Sequence, residues 1–196
     1  MTSARFGRLA GFAILASLAS AGVQAQTLSG TSGASASSQL DISGVAPSGC
    51  VISTPNTGAT SNASLSAGPG AAEVTVLQLV DPNSAVPLPA NITLQFPVIC
   101  NGAHVLTITA RDGALVLQQS APPPGPGFRN SLVYQIQADW VGQSVSASSA
   151  DAPLQINSAN AATGDLNVNI QIPGGGEPLE AGTYTDQLIV NLHPAS

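Results

Sequence analysis

The chain has 196 residues, 43% hydrophobic and only 7% charged, with ten acidic side chains, four arginines, no lysine and a formal net charge of −6. That balance argues against a nucleic-acid partner, which needs clustered cations to neutralise phosphates, and against an anionic membrane surface. Without lysine, Schiff-base chemistry, a P-loop and Lys–Asn isopeptide cross-links are excluded as well.

The first 25 residues read as a secretory signal peptide: Arg5 and Arg8, an apolar run from Leu9 to about Ala21, and the small-residue ending Val23-Gln24-Ala25. The run is shorter than the roughly 20 apolar residues that span a bilayer, so cleavage is expected rather than membrane insertion. The expected mature chain, from Gln26 onward, keeps Arg111 and Arg129 against all ten acidic residues, a net charge of −8. Its 171 residues suit one domain with its own core. The surface must be built from Ser, Thr, Asn and Gln, which suits a secreted protein packing against copies of itself.

Residues 26–38 form a Ser/Gly/Ala-rich N-terminal extension that composition alone would leave disordered, and a β-domain is expected over 39–196. Cys50 and Cys100, exported to an oxidising compartment, are expected to form one disulfide. Closing a loop of about 50 residues would stabilise the fold by roughly 4 kcal/mol. His104 and His193 lie far apart in strand patterns, so no metal site is expected.

Asn91 to Cys100 alternates Ile92, Leu94, Phe96, Val98 and Cys100 on one face, with Pro97 demoting part of the run to an edge or a bulge. The Asn101-Gly102 turn leads to a strand over Val105 to Ala110, and the Asp112-Gly113 turn to one over Leu115 to Gln118; together these read as a β-meander. The proline-rich stretch from Ser120 to Gly127 reads as a stiff surface connection. Leu132, Tyr134, Ile136, Ala138 and Trp140 share the apolar face of another strand. Leu166, Val168, Ile170 and Ile172 share that of the next, and the "PGGGEPLEAG" stretch after it reads as a solvated loop holding Glu177 and Glu180.

The last strand, Thr183 to His193, places Leu188, Val190 and Leu192 on one face and Gln187, Ile189 and Asn191 on the other. Only Pro194 to Ser196 follow it, so its partner is expected to come from elsewhere. Short strands, turns between them and one disulfide predict an all-β, immunoglobulin-like antiparallel β-sandwich. No histidine, serine or carboxylate stands in a catalytic motif, so no enzyme and no catalytic, cofactor or metal residues are expected.

Four segments, "GCVISTP" at Cys50, "VICNGAHVLTITARDG" at Cys100, "LVYQIQAD" from Leu132 and the terminal "AGTYTDQLIVNL", resemble the spore coat protein U domain family, which includes Csu-type subunits of archaic chaperone-usher pili. The resemblance spans about Leu40 to His193. It implies an incomplete sandwich lacking one strand, lent first by a periplasmic chaperone and then, at the outer-membrane usher, by the N-terminal extension of a neighbouring pilus subunit. It further implies passage through the periplasm to a cell-surface fibre, and a rim of the acceptor groove formed by Tyr184, Leu188, Val190 and Leu192.

The candidate donor strand is "ASASSQLDISG", with Ala34, Ala36, Ser38, Leu40, Ile42 and Gly44 on one face. Burying Leu40 and Ile42 would contribute roughly 3 to 6 kcal/mol. Alternatively, Leu40 to Val45 forms this subunit's own first strand. A self-contained adhesive or ligand-binding sandwich, or a coat or matrix protein, fits the same composition.

Overall fold

The computed structural model describes residues 40–68, 71–118, 124–151 and 153–195, and the signal-peptide reading and Ala34, Ala36 and Ser38 lie outside them. The chain divides into two units, Met1–Gly44 and Val45–Ser196. In the first, the described residues Leu40–Gly44 belong to no strand.

The second unit is built around two long strands, β5 (Ala90–Cys100) and β12 (Ala162–Ile172) in chain numbering, antiparallel along their whole length from Cys100 opposite Ala162 to Ala90 opposite Ile172. Beyond β12 lie β9 (Gln135–Trp140) and then β10 (Gln143–Ser148). A Val141-Gly142 hairpin turn joins these two, with φ of 48° and 75°. Both residues are left-handed, as a two-residue turn matched to the strand twist requires. On the other side of β5 run β1 (Cys50–Ile52) and β2 (Asn56–Ser61).

A second sheet has the order β11 (Leu154–Ser158), β6 (His104–Ala110), β14 (Leu188–Pro194). A third has β13 (Tyr184–Thr185), β7 (Leu115–Leu117), β8 (Ser131–Leu132), and β3 (Ala63–Gly68) pairs with β4 (Ala71–Val76) as a hairpin. Every strand pair is antiparallel and no helix occurs among the described residues.

Period-two alternation explains the core. Ile92, Leu94, Val98 and Cys100 of β5, Ile136, Ala138 and Trp140 of β9, and Leu166, Val168 and Ile172 of β12 are buried, facing Leu106 and Ile108 of β6 and Leu154 and Ile156 of β11. The opposite face of the large sheet carries amides and hydroxyls in register, such as Gln95, Asn167, Asp139 and Ser144 in one row and Thr93, Asn169, Gln137 and Ser146 in the next. These side chains bond one another, Asn169 Nδ2 donating to Thr93 Oγ1 at 3.0 Å and Gln137 Nε2 to Ser144 Oγ at 3.3 Å. Cross-strand hydrogen bonds do here what charge pairs do on other sheets.

Two expectations change, and a third is narrowed to one side of a strand. The meander does not form: β5, β6 and β7 follow one another in sequence but lie in three different sheets. β5 and β6 each have one buried face, and they bury those faces in a single core from opposite sheets rather than by pairing. The break expected at Pro97 is confined to one side of β5, since β12 pairs straight through with Asp165 opposite Pro97. The interruption falls on the other side, between Ile52 and Asn56, with a register shift of one residue. There Ser53 N–H donates to Pro97 O at 2.9 Å, and proline has no N–H to return the bond. The "PGGGEPLEAG" loop is not simply solvated either. Leu179 is buried, Arg129 donates through Nε to Glu177 O and through Nη2 to Gly175 O, and Glu180 Oε1 accepts from Gly125 N–H.

Candidate functional site

The terminal strand divides at Asp186-Gln187 into β13 and β14. Its partner is upstream in the same chain: β14 pairs with β6 from Leu188 opposite Ala110 to Pro194 opposite His104. Only one edge is satisfied in this way. Among the described residues β14 has no second hydrogen-bonded neighbour, so a row of backbone donors and acceptors stands open on its far side.

The inward face of β14 shares that incompleteness. Leu188, Val190 and Leu192 pack against the core yet are only half-buried, whereas their partners Leu106 and Ile108 on β6 are each 1% exposed. The core is therefore sealed on the β6 side and thin beyond β14. Across the sandwich, β1 of the large sheet approaches this edge.

Tyr184 does not belong to that face. It lies in β13, opposite Leu117 of β7, and its hydroxyl bonds Glu180 O at 2.9 Å and Arg129 O at 3.3 Å. Tyr184 ties down a loop, while the edge residues are Leu188, Val190 and Leu192.

The break between β13 and β14 is organised by Asp186, which periodicity does not single out. Its Oδ1 accepts from Asp112 N–H at 3.0 Å and Gln187 N–H at 2.6 Å, and its Oδ2 from the Tyr134 hydroxyl at 2.8 Å. One carboxylate thus joins the entry of β14, the turn after β6 and the start of β9. The available signal was an Asp inside an otherwise alternating strand, where a carboxylate serves backbone donors better than it serves a ladder.

Burial, and then the Asp186 carboxylate, push the Tyr134 hydroxyl well above the ordinary tyrosine range. A folded-state value above the unfolded one means that this contribution to stability is complete below about pH 10 and is lost as pH rises beyond it. Tyr134→Phe is expected to cost about 1 to 2 kcal/mol at pH 7 and to flatten this alkaline loss. Denaturant melts from pH 7 to 11 check it; an unchanged slope in the variant would show that Tyr134 is not the titrating group.

A disulfide joins Cys50 to Cys100 across their own register pair. Beside it the fully buried His104 accepts a hydrogen bond at Nε2 from Trp140 Nε1–H at 2.8 Å, while Nδ1 lies 2.9 Å from Gly102 O. Indole N–H only donates, so Nε2 accepts and Nδ1 carries the proton. The bond crosses the sandwich, from β9 in one sheet to β6 in the other. The ligand atoms of Cys50, Cys100 and His104 lie within 4.8 Å of one another. With both sulfurs in the disulfide and both ring nitrogens engaged, that cluster is a structural group and does not fit a metal. His193 is exposed on the outward face of β14.

Of the donor candidates, Leu40, Ile42 and Gly44 are exposed, Leu40 and Ile42 at 83% and 88%. Residues Leu40 to Val45 do not form this domain's first strand, which begins at Cys50.

The described residues thus define the class, an all-β sandwich with antiparallel sheets and one disulfide. No family model matches the chain, and no curated protein does. Among solved structures, a chain of a chaperone-tip adhesin complex of CFA/I fimbriae biogenesis aligns at 17% identity with a TM-score of 0.30. The alignment covers 61% of this chain and 40% of that one.

Proposed function

We propose that this chain is a secreted, non-enzymatic structural subunit of a pilus or surface fibre that assembles by donor-strand exchange. The observation that carries the reading is the free edge of β14 with Leu188, Val190 and Leu192 half-buried beneath it. An added strand would satisfy the open backbone groups and cover the apolar face in one step, with alternate side chains setting register. The occupant in the fibre is the segment around Leu40 and Ile42 of another copy, since those side chains are apolar, exposed and outside any strand of their own. Before assembly a periplasmic chaperone occupies the edge, and an outer-membrane usher carries out the exchange. An uncovered edge would otherwise aggregate.

The test compares mature protein with a variant lacking Gln26 to Gly44, by size-exclusion chromatography, electron microscopy and amide hydrogen exchange. Mature protein is expected to polymerise. The deletion variant is expected to stay monomeric, to exchange rapidly on the open side of β14, and to gain protection there on adding a synthetic Ala34–Gly44 peptide. A deletion variant that still polymerises through β14, or whose open-side amides are protected with no strand added, would sink the proposal and favour a self-contained adhesive module.

A further inference from the structure

At the root of the N-terminal extension, Pro47, Ser48 and Gly49 are exposed and belong to no strand, yet they are held by one residue. Asn101 Nδ2 donates to Pro47 O at 2.8 Å, Asn101 Oδ1 accepts from Gly49 N–H at 2.7 Å, and Asn101 N–H donates to Gly49 O at 3.1 Å. Ser48 lies against the adjacent Gly102, where an added Cβ would meet the Ser48 Cβ at 3.7 Å. The next residue, Cys50, is bonded covalently to Cys100, the neighbour of Asn101. An exposed loop ordinarily keeps its freedom, whereas here both faces of a carboxamide and a disulfide converge on four residues.

We propose that Asn101 is a positioning residue for assembly: by pinning Pro47 and Gly49 it leaves only Val45 and Ala46 as a free hinge between the donor segment and the folded body, and so sets the stiffness of the fibre. The inference rests on the donor-strand reading above. From Gly44 to a fixed Pro47 the chain reaches at most about 11 Å, which forces the neighbouring copy close to this end of the sandwich. Released as far as Cys50, the same connection would reach about 21 Å and act as a flexible linker. The hydrogen bonds of Asn101 run to Pro47 and Gly49, so its role is to govern how subunits are held relative to one another, with strand capture left to β14.

The experiment measures fibre persistence length by electron microscopy for mature protein, Asn101→Ala, Asn101→Asp, and a variant with Gly-Ser-Gly inserted between Val45 and Ala46. Asn101→Ala and the insertion are each expected to shorten the persistence length about two- to fivefold. Asn101→Asp, which keeps the acceptor for Gly49 and loses the donor to Pro47, is expected to fall between them and mature protein. Uptake of the Ala34–Gly44 peptide by extension-deleted Asn101→Ala is expected to match that of the deletion variant alone, a split that a general loss of structure would not produce. Asn101→Ala fibres as stiff as those of mature protein overturn the inference while leaving the fibre reading intact. Should Asn101→Ala not fold, the insertion decides, and unchanged stiffness there overturns the inference. Mature protein that forms no fibres removes the donor-strand reading and this inference with it.

Discussion

Replacing Cys50 and Cys100 together with serine is expected to lower stability by about 4 kcal/mol, through the closure entropy of a 50-residue loop. For a domain of this size that is a fall of roughly 10 °C in melting temperature. The enclosed segment explains why the bridge matters. Between the two cysteines the chain makes β2, the β3–β4 hairpin and all of β5 before returning, and the unfolded chain would otherwise explore that whole excursion freely. The bridge also holds β1, three residues long and paired, among the described residues, only to β5. A strand that short frays readily, and β1 is the element that approaches the free edge of β14 from the other sheet. Thermal melts of oxidised, reduced and double-serine protein check this, and a loss under about 1 kcal/mol would show that the loop is already restricted in the unfolded state.

Trp140→Ala is expected to cost a comparable amount, about 3 to 5 kcal/mol, because it removes the largest side chain of β9 from a site where it is 4% exposed. Part of that loss is polar. His104 Nε2 would lose the Trp140 donor in a fully buried position, and an unsatisfied buried acceptor costs about 1 to 3 kcal/mol. Trp140→Phe separates the two effects: it keeps most of the packing, removes the N–H, and is expected to cost about 1 to 2 kcal/mol. Because Trp140 is the single tryptophan, unfolding is followed by far-ultraviolet circular dichroism rather than fluorescence. A Trp140→Phe variant as stable as the parent would show that the bond across the two sheets contributes no net stability.

Those two sites mark where sequence reading succeeded and where it stopped. The faces of β5, β9, β12 and β14 were legible because side-chain direction in a strand alternates strictly, so apolar residues at every second position declare which side is buried. Cys100 could be placed inward on that ground, and the pairing with Cys50 followed from there being only two cysteines. His104 could not be placed. Its bond to Trp140 joins residues 36 positions apart through two sheets, and nothing local in either segment points to the other. Asp186 was visible as part of "GTYTD", but its task, gathering Tyr134, Asp112 and Gln187, depends on three separate elements meeting. Asn101 read only as half of a turn signal; its hold on Pro47 and Gly49 spans more than 50 residues.

By itself, the sequence determined the class of fold, the inward face of each long strand, the disulfide, and the apolar character of Leu40 and Ile42. These follow from local alternation and composition, which act over a few residues. The tertiary structure alone decided that β5, β6 and β7 lie in different sheets, that Tyr184 belongs to β13 and not to the edge, and that β14, among the described residues, pairs with β6 on one side only. Strand pairing is a choice among distant partners of similar pattern, and it is settled by how all the apolar faces can be buried at once.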